Sequence, residues 1–456
     1  MKQISSNKNI TALDGVRGFA CIMVIFYHIQ SFAHTMHLWE FSQVGPIWTD
    51  ISLVGSAGVT LFFVLSGFLL FLPYAKALLG CSSWPSLRRY FTRRIFRIWP
   101  GYYVALLLLV VFSHPEYLQI DHLKQFSLFL TFLMDSGENT YQRINGPFWT
   151  LAVEWQFYVL LPFIALGMRY LLGRVIRQGT TLRCFTCIVL CLFGIIIWGL
   201  LTRRWGHSWH ITPNPPMLVP AALHHILLFF LYGQSGKYLE DFAVGMLLSL
   251  CYIWLQMKPD HLISALLTRS SVLAWFLGVA VLVFATFWNS TSYVIPLAPY
   301  IGPHAWLAEI LFACGYGFCL MGILFGPQTL RWIWETKPLR WIGMLSYGLY
   351  IWHEPLYFLF MDRVVPLLHN WPRSDIYSMF FVWLFVVIIP FSWIFYKCVE
   401  VPGIKLGAML TTSPAKAAVV SEGHPLTVAE PADPAHSAHS QLVTATAETR
   451  QSGERA

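Results

Sequence analysis

Ten apolar runs separated by short polar segments occupy the chain from residue 13 to residue 396. They are Leu13–Ala33, Leu53–Tyr74, Ile98–Ser113, Phe148–Gly167, Phe185–Leu201, Leu239–Gln256, Val272–Trp288, Trp306–Phe325, Leu339–Phe360 and Tyr377–Tyr396. A helix needs roughly 20 such residues to cross a ~30 Å hydrocarbon core, and most of these runs come close to that length. Phe126–Met134 and His225–Tyr232 are apolar but too short to span, which suits interfacial or re-entrant segments. From about Thr411 the chain turns to Ala, Pro, Ser, Thr, His and Glu without a single aromatic residue, a composition that cannot bury enough apolar surface to offset ordering. The pattern therefore predicts an all-α integral membrane protein. A bundle of about ten transmembrane helices fills residues 1–410, and a disordered tail fills 411–456. The first run carries Asp14 and Arg17 and is followed by bulky residues, so it reads as a retained helix and not as a cleavable signal. No internal repeat is evident.

Composition agrees. Hydrophobic residues make up 56% and charged residues 11% of the 456, against about a quarter charged in an ordinary soluble domain. The formal charge of +8 raises the question of nucleic acid. The arginines, however, sit in short loops between apolar runs, as an orientation signal does, and no basic stripe with solvent-facing aromatics exists. With the N-terminus inside, the inner segments hold 19 Lys and Arg and the outer loops 7. That asymmetry places both termini in the cytoplasm. The nine cysteines form no paired framework. Cys184, Cys187 and Cys191 head an apolar run as small hydrophobes, and no clustered His and carboxylates point to a metal.

Ionisable groups inside apolar runs are the candidates for chemistry, because placing them in hydrocarbon is costly. Arg17 and His28 are eleven positions apart and share a helix face, about 6 Å and about 22 Å from the inner surface at 1.5 Å per residue. A snorkelling arginine and a core histidine bonded to a backbone carbonyl are the plainer alternatives. The segment Arg88–Pro100 holds five arginines without an acid nearby. Arg94 and Arg97 share a face there, and guanidinium forks match phosphate oxygens, although an orientation signal would also explain the charge. Glu154 enters from the outside, about 9 Å deep, close to the depth inferred for His28. A carboxylate there could orient the imidazole as a general base. His353 and Glu354 fall in the outer half of the ninth run, where an acceptor pocket or an interfacial belt would lie.

These blocks, in this order, resemble the acyltransferase-3 family of membrane acyltransferases. The matching segments are the Leu13–His28 helix with its Arg-x10-His spacing, Phe62–Phe68, Arg94–Pro100, Trp149–Tyr158 and Ser346–Pro355. The resemblance implies transfer of an acyl group, often acetyl, from acyl-CoA to a hydroxyl of a glycan or macrolide-type acceptor at a bacterial or other cell membrane. It implies no permanently bound cofactor and no metal. The partners would be acyl-CoA, a hydroxyl-bearing acceptor and the lipid bilayer, without nucleic acid. By the same resemblance His28 and Glu154 are catalytic, with Arg17, Arg94 and Arg97 binding the donor and His353 and Glu354 on the acceptor side. Trp155 departs from relatives that carry a second acid there. Some relatives also carry an extra esterase-like domain in place of such a tail. Whether His28 deprotonates the acceptor or carries the acyl group stays open, and a secondary transporter using the buried Arg, His and Glu is the alternative.

Overall fold

The computed structural model describes residues 6–38, 52, 54–175, 180–211, 220–289 and 302–411. The chain forms two units, Met1–Gly407 and Ala408–Ala456. The second is described only over residues 408–411, which are helical, so the tail expected beyond Thr411 lies outside the described residues. Among the described residues there is no strand. In chain order the helices are α1 (Ser6–Thr35), α2 (Gly58–Leu78), α3 (Leu87–Phe112), α4 (Leu123–Leu130), α5 (Phe148–Val175), α6 (Thr181–Ile211) and α7 (Ala221–Leu231). Then follow α8 (Leu239–Met257), α9 (Leu262–Arg269), α10 (Ser271–Asn289), α11 (Ala308–Phe325) and α12 (Lys337–Arg363). The last, α13 (Arg373–Thr411), is interrupted by two π-helical turns at Leu384–Ile388 and Tyr396–Glu400.

Among the described residues nine helices are long and apolar enough to cross a membrane: α1, α2, α3, α5, α6, α8, α10, α11 and α13. The protein is a multi-pass membrane protein. Helix α12, the expected ninth span, has 27 residues but carries Lys337, Arg340, His353, Glu354, Asp362 and Arg363, and is not among the nine. The short apolar stretches form α4 and α7, of 8 and 11 residues, too short to span. Phe163, Phe276 and Phe385 stand exposed on α5, α10 and α13, where a bilayer would cover them.

Without a hydrophobic drive between helices in lipid, close packing requires small residues at the contacts. The pairs α2–α8 and α1–α12 show this most clearly. A Cβ on Gly67 would lie 2.1 Å from the Phe242 carbonyl oxygen, and one on Gly245 would lie 2.0 Å from that of Val64. Between α1 and α12, a Cβ on Gly343 would lie 1.8 Å from the Asp14 carbonyl oxygen and one on Gly18 2.3 Å from that of Leu339. Backbone therefore meets backbone at the Gly18 end of this pair. Further out, Cys21, Ile25, Ile29 and Phe32 of α1 pack with Leu345, Leu349, Tyr357 and Phe360 of α12 and with Phe380 and Ile388 of α13.

Two helix-interior prolines are compensated from other segments. Proline lacks the N–H that would bond the carbonyl four residues earlier. Pro355 thus frees the Ile351 carbonyl, which accepts from Asn145 Nδ2 at 2.9 Å. Pro162 frees the Tyr158 carbonyl, which accepts from the Tyr90 hydroxyl at 3.1 Å. The first of these ties the approach to α5 onto the turn of α12 that holds His353 and Glu354.

The α1–α12 contact leaves no room for a methyl group. Gly343→Ala is therefore expected to force the two backbones apart and destabilise the fold by about 1–3 kcal/mol, the usual cost of overpacking. Thermal unfolding in detergent checks this; an unchanged midpoint would mean that the contact is not tight.

Candidate active site

The sequence spreads its candidate residues over four helices, and the fold gathers most of them into one cavity. That cavity, of about 90 Å³, is lined by Arg17 of α1, Ser66 of α2, Arg94 and Arg97 of α3, Glu154 and Tyr158 of α5, and Tyr347 and Tyr350 of α12, with apolar residues between them. Helix α3 explains how the arginines reach it. It begins at Leu87, eleven positions before the expected start of that span, capped by Ser86, whose Oγ accepts from the Arg89 amide at 3.4 Å. The helix therefore carries the arginine run along its length and turns Arg94 and Arg97 toward α1 and α5.

Glu154 is held by two hydroxyl donors, Ser66 Oγ at 2.6 Å and Tyr158 Oη at 2.5 Å, both to the same carboxylate oxygen. Tyr158 sits one helical turn beyond Glu154 and also lies under Arg94, whose guanidinium carbon is 5.8 Å from the ring centroid. Thr150 and Tyr350 close another part of the lining, with their hydroxyls 2.8 Å apart. Tyr347 donates to the Ile98 carbonyl at 2.7 Å and so fastens α12 to α3 beside the arginines. None of the three arginines joins an ion pair within 4 Å among the described residues, and buried Arg94 Nε has no partner. Elsewhere in the bundle the buried Arg203 is paired with Glu240 at 2.5 Å. The cavity is therefore lined by three guanidinium groups and one carboxylate.

His28 lies apart from this lining. Its ring faces His353, with His28 Nδ1 3.1 Å from His353 Nε2 and ring centroids 4.8 Å apart. Each Nδ1 also approaches the carbonyl one turn earlier in its own helix, Val24 at 2.9 Å for His28 and Leu349 at 3.0 Å for His353. His353 is fully buried with both ring nitrogens engaged, so it stands behind His28 and not on an open acceptor surface. The half-buried carboxylate of Glu354 packs against Gly146, where a Cβ would lie 2.2 Å from its Oε2, and that Oε2 is buried without a hydrogen-bond partner. The cavity and the histidine pair adjoin at Tyr350, whose ring centroid is 6.0 Å from that of His353.

The structure thus brings Arg17, Arg94, Arg97 and Glu154 together and pairs His28 with His353, while Glu354 packs on Gly146. It does not set Glu154 against His28, as matching depths suggested. Equal depth does not put two side chains on facing surfaces: Glu154 is held by Ser66 and Tyr158, whereas His28 faces His353. Ser66, Tyr158 and Tyr350 were missed as site residues. Of these, Tyr158 had a signal, being four positions from Glu154 on one helix. Among the described residues no group of three or more His, Cys, Asp or Glu is placed to hold a metal ion.

A family model described as an acyltransferase domain, acyltransferase 3, matches residues 10–397, which include every residue of both groups. The chain belongs to the acyltransferase-3 family. Among curated proteins, this acyltransferase-3 chain is 27% identical over 374 residues to peptidoglycan O-acetyltransferase OatA of Listeria monocytogenes, with 77% of this chain and 50% of that protein covered. It is 23% identical over 383 residues to O-acetyltransferase OatA of Staphylococcus aureus, with 78% of this chain and 52% of that protein covered. The chain spans about half the length of these relatives. No solved structure matches it. The transporter alternative, raised by the same buried groups, finds no support in these matches.

Tyr158→Phe and Ser66→Ala each remove one of the two donors to Glu154. The double variant leaves a buried carboxylate without these hydrogen bonds and is expected to cost roughly 1–3 kcal/mol of stability or more. Each single variant should cost less, and the excess of the double over the summed singles reads the coupling through Glu154. Strictly additive losses would mean that the two hydroxyls act independently of the carboxylate.

Proposed function

We propose that this protein is a membrane O-acyltransferase that moves an acyl group, often acetyl, from acyl-CoA to a hydroxyl of a glycan or similar acceptor. The observation that carries the reading is the excess of guanidinium over carboxylate in a cavity that adjoins a histidine pair. Arginine forks bind phosphate oxygens bidentately, and three of them beside one acid favour an anionic ligand with several phosphate oxygens. The names of the curated relatives support acetyl transfer and, for the Listeria protein, a peptidoglycan acceptor.

In this reading Arg17, Arg94 and Arg97 hold the phosphates of the donor, and Glu154 orients the guanidinium groups. Arg17 and His28 lie eleven residues apart on α1, about 16 Å along the helix axis, a span that a flexible pantetheine arm can cover. His28 is the general base. It takes the proton of the acceptor hydroxyl as that oxygen bonds to the thioester carbonyl carbon. The carbon–sulfur bond then breaks, and the thiolate leaving group takes the proton back from His28. The unpartnered Oε2 of Glu354 serves the acceptor side, where it can accept a hydrogen bond from a second hydroxyl of a sugar. Residues 1–410 form the acyltransferase domain. In the same reading the bundle has about ten spans, with α12 as one of them, and both termini and the tail 411–456 are cytoplasmic, a topology supported by the excess of basic residues on the inner segments.

Release of free thiol from acetyl-CoA by the purified protein, with a glycan acceptor present, tests this reading. His28→Ala is expected to lower turnover by about 10²–10⁴-fold, the usual contribution of a general base, while donor affinity is kept. Arg94→Ala and Arg97→Ala are expected to weaken donor binding by calorimetry, and lysine at either position to restore it only in part. A His28→Ala protein with normal turnover, or unchanged donor affinity in both arginine variants, would remove these residues from the reaction.

A further inference from the structure

We propose that His353 is the positioning residue of the proposed transfer reaction: its Nε2 lone pair accepts from His28 Nδ1–H, fixes the tautomer of His28, and leaves His28 Nε2 as the basic nitrogen. The inference rests on the reading of His28 as the general base and names the group that orients it.

The geometry permits one neutral arrangement of protons. A carbonyl oxygen can only accept, so the 3.0 Å contact of His353 Nδ1 with the Leu349 carbonyl puts a proton on that nitrogen. In a neutral ring, His353 Nε2 then carries a lone pair. The 2.9 Å contact of His28 Nδ1 with the Val24 carbonyl puts a proton on His28 Nδ1 by the same rule. That proton also faces His353 Nε2 across 3.1 Å, so the two acceptors share it. His28 Nε2 is left bare. The reverse assignment, with a cationic His353 donating to His28, would turn the His28 Nδ1 lone pair against the Val24 oxygen and add a charge to a fully buried ring.

The Val24 carbonyl is an acceptor already committed to the hydrogen-bond ladder of α1, whereas the His353 lone pair has no other donor. When His28 takes a proton at Nε2, its Nδ1–H becomes a stronger donor, and the His353 lone pair stabilises the imidazolium without itself taking the proton. A neutral imidazole here takes the orienting place that a buried carboxylate holds in many hydrolases. The other titratable groups near the pair are Tyr27, whose ring centroid is 5.1 Å from that of His28, Tyr350, whose ring centroid is 6.0 Å from that of His353, and Glu354, the residue after His353. None of these hydroxyls or carboxylates makes a hydrogen bond to a His28 nitrogen among the described residues. The two rings meet because α1 and α12 approach through Gly18 and Gly343, and because Leu349 and Val24 anchor each ring one turn back on its own helix.

Nitrogen-15 spectra of the full-length protein labelled at histidine test the assignment without any substrate. The His28 signals are identified by subtraction with His28→Gln. His28 is expected to show a protonated Nδ1 and a bare Nε2 in the parent and in His353→Gln, whose side-chain oxygen can still accept. In His353→Met, which fills the space but accepts only weakly, the two tautomers are expected to mix. Turnover in His353→Met should fall by about 10²-fold or more with an unchanged KM for the donor, and its pH–rate profile should shift to a lower apparent basicity. His353→Gln should recover part of the rate. A His28 protonated on Nε2 in the parent, or a tautomer as pure in His353→Met as in the parent, would overturn the proposal. The expected spectra in a protein that transfers no acyl group would sink the acyltransferase reading alone, because the tautomer is read without turnover.

Discussion

Charge is expensive inside a bilayer, and this bundle brings three arginines to one cavity. Arg17, Arg94 and Arg97 share a cavity with Glu154, and the bundle supplies no second carboxylate to that lining. Elsewhere in the described bundle the same cost is met internally, as when Arg203 bonds Glu240. At the cavity no carboxylate closes to within ion-pair distance of an arginine, although Asp14 lies near Arg17 and Glu400 near Arg97. Helix α3 carries the arginines inward, α2 and α5 supply the two hydroxyls that hold Glu154, and Tyr347 locks α12 against α3. An anionic ligand is the natural complement of such a lining, and a phosphorylated donor has that chemistry.

The second dependence is between two helices that have no room to separate. At Gly18 and Gly343 the backbones of α1 and α12 come so close that a methyl group would overlap a carbonyl oxygen. That contact lies near Arg17 on α1, and the helices remain packed through Ile25, Leu345 and Leu349 to the level of His28 and His353. One helix pair therefore carries both an arginine of the cavity and the imidazole pair, at a separation set by helical rise. Pro355 adds a third tie. Its missing N–H frees the Ile351 carbonyl for Asn145, and the neighbouring Gly146 packs against the Glu354 carboxylate. The segment leading into α5 is thereby anchored at the histidine end of α12.

Much of this was legible in the sequence. The apolar runs gave the helices because a ~20-residue span has few alternatives, and the buried Arg17, His28, Glu154 and Arg94–Arg97 stood out because charge in such runs is costly. Helix ends were less legible. The run Arg88–Arg97 is too polar to join an apolar span by composition, yet it continues the same helix from Leu87. Partners between helices were the least legible. Nothing in the local pattern around His28 or His353 indicates that the two rings meet, since their contact depends on the glycine-mediated approach of α1 and α12 across 325 positions. Arg94 and Arg97 lack a nearby acid in the sequence for the same reason, because Glu154 comes from α5 and Glu400 from α13.

The account turns on a single claim, that the arginine cavity and the histidine pair are two ends of one donor site. The most direct test is a structure of the protein in lipid with a non-hydrolysable acyl-CoA analogue bound. The account predicts phosphate density against Arg17, Arg94 and Arg97, with the acyl end beside the Nε2 face of His28. Phosphates bound away from these arginines, or an acyl end that leaves the cavity on the side opposite Tyr350 and His28, would contradict it.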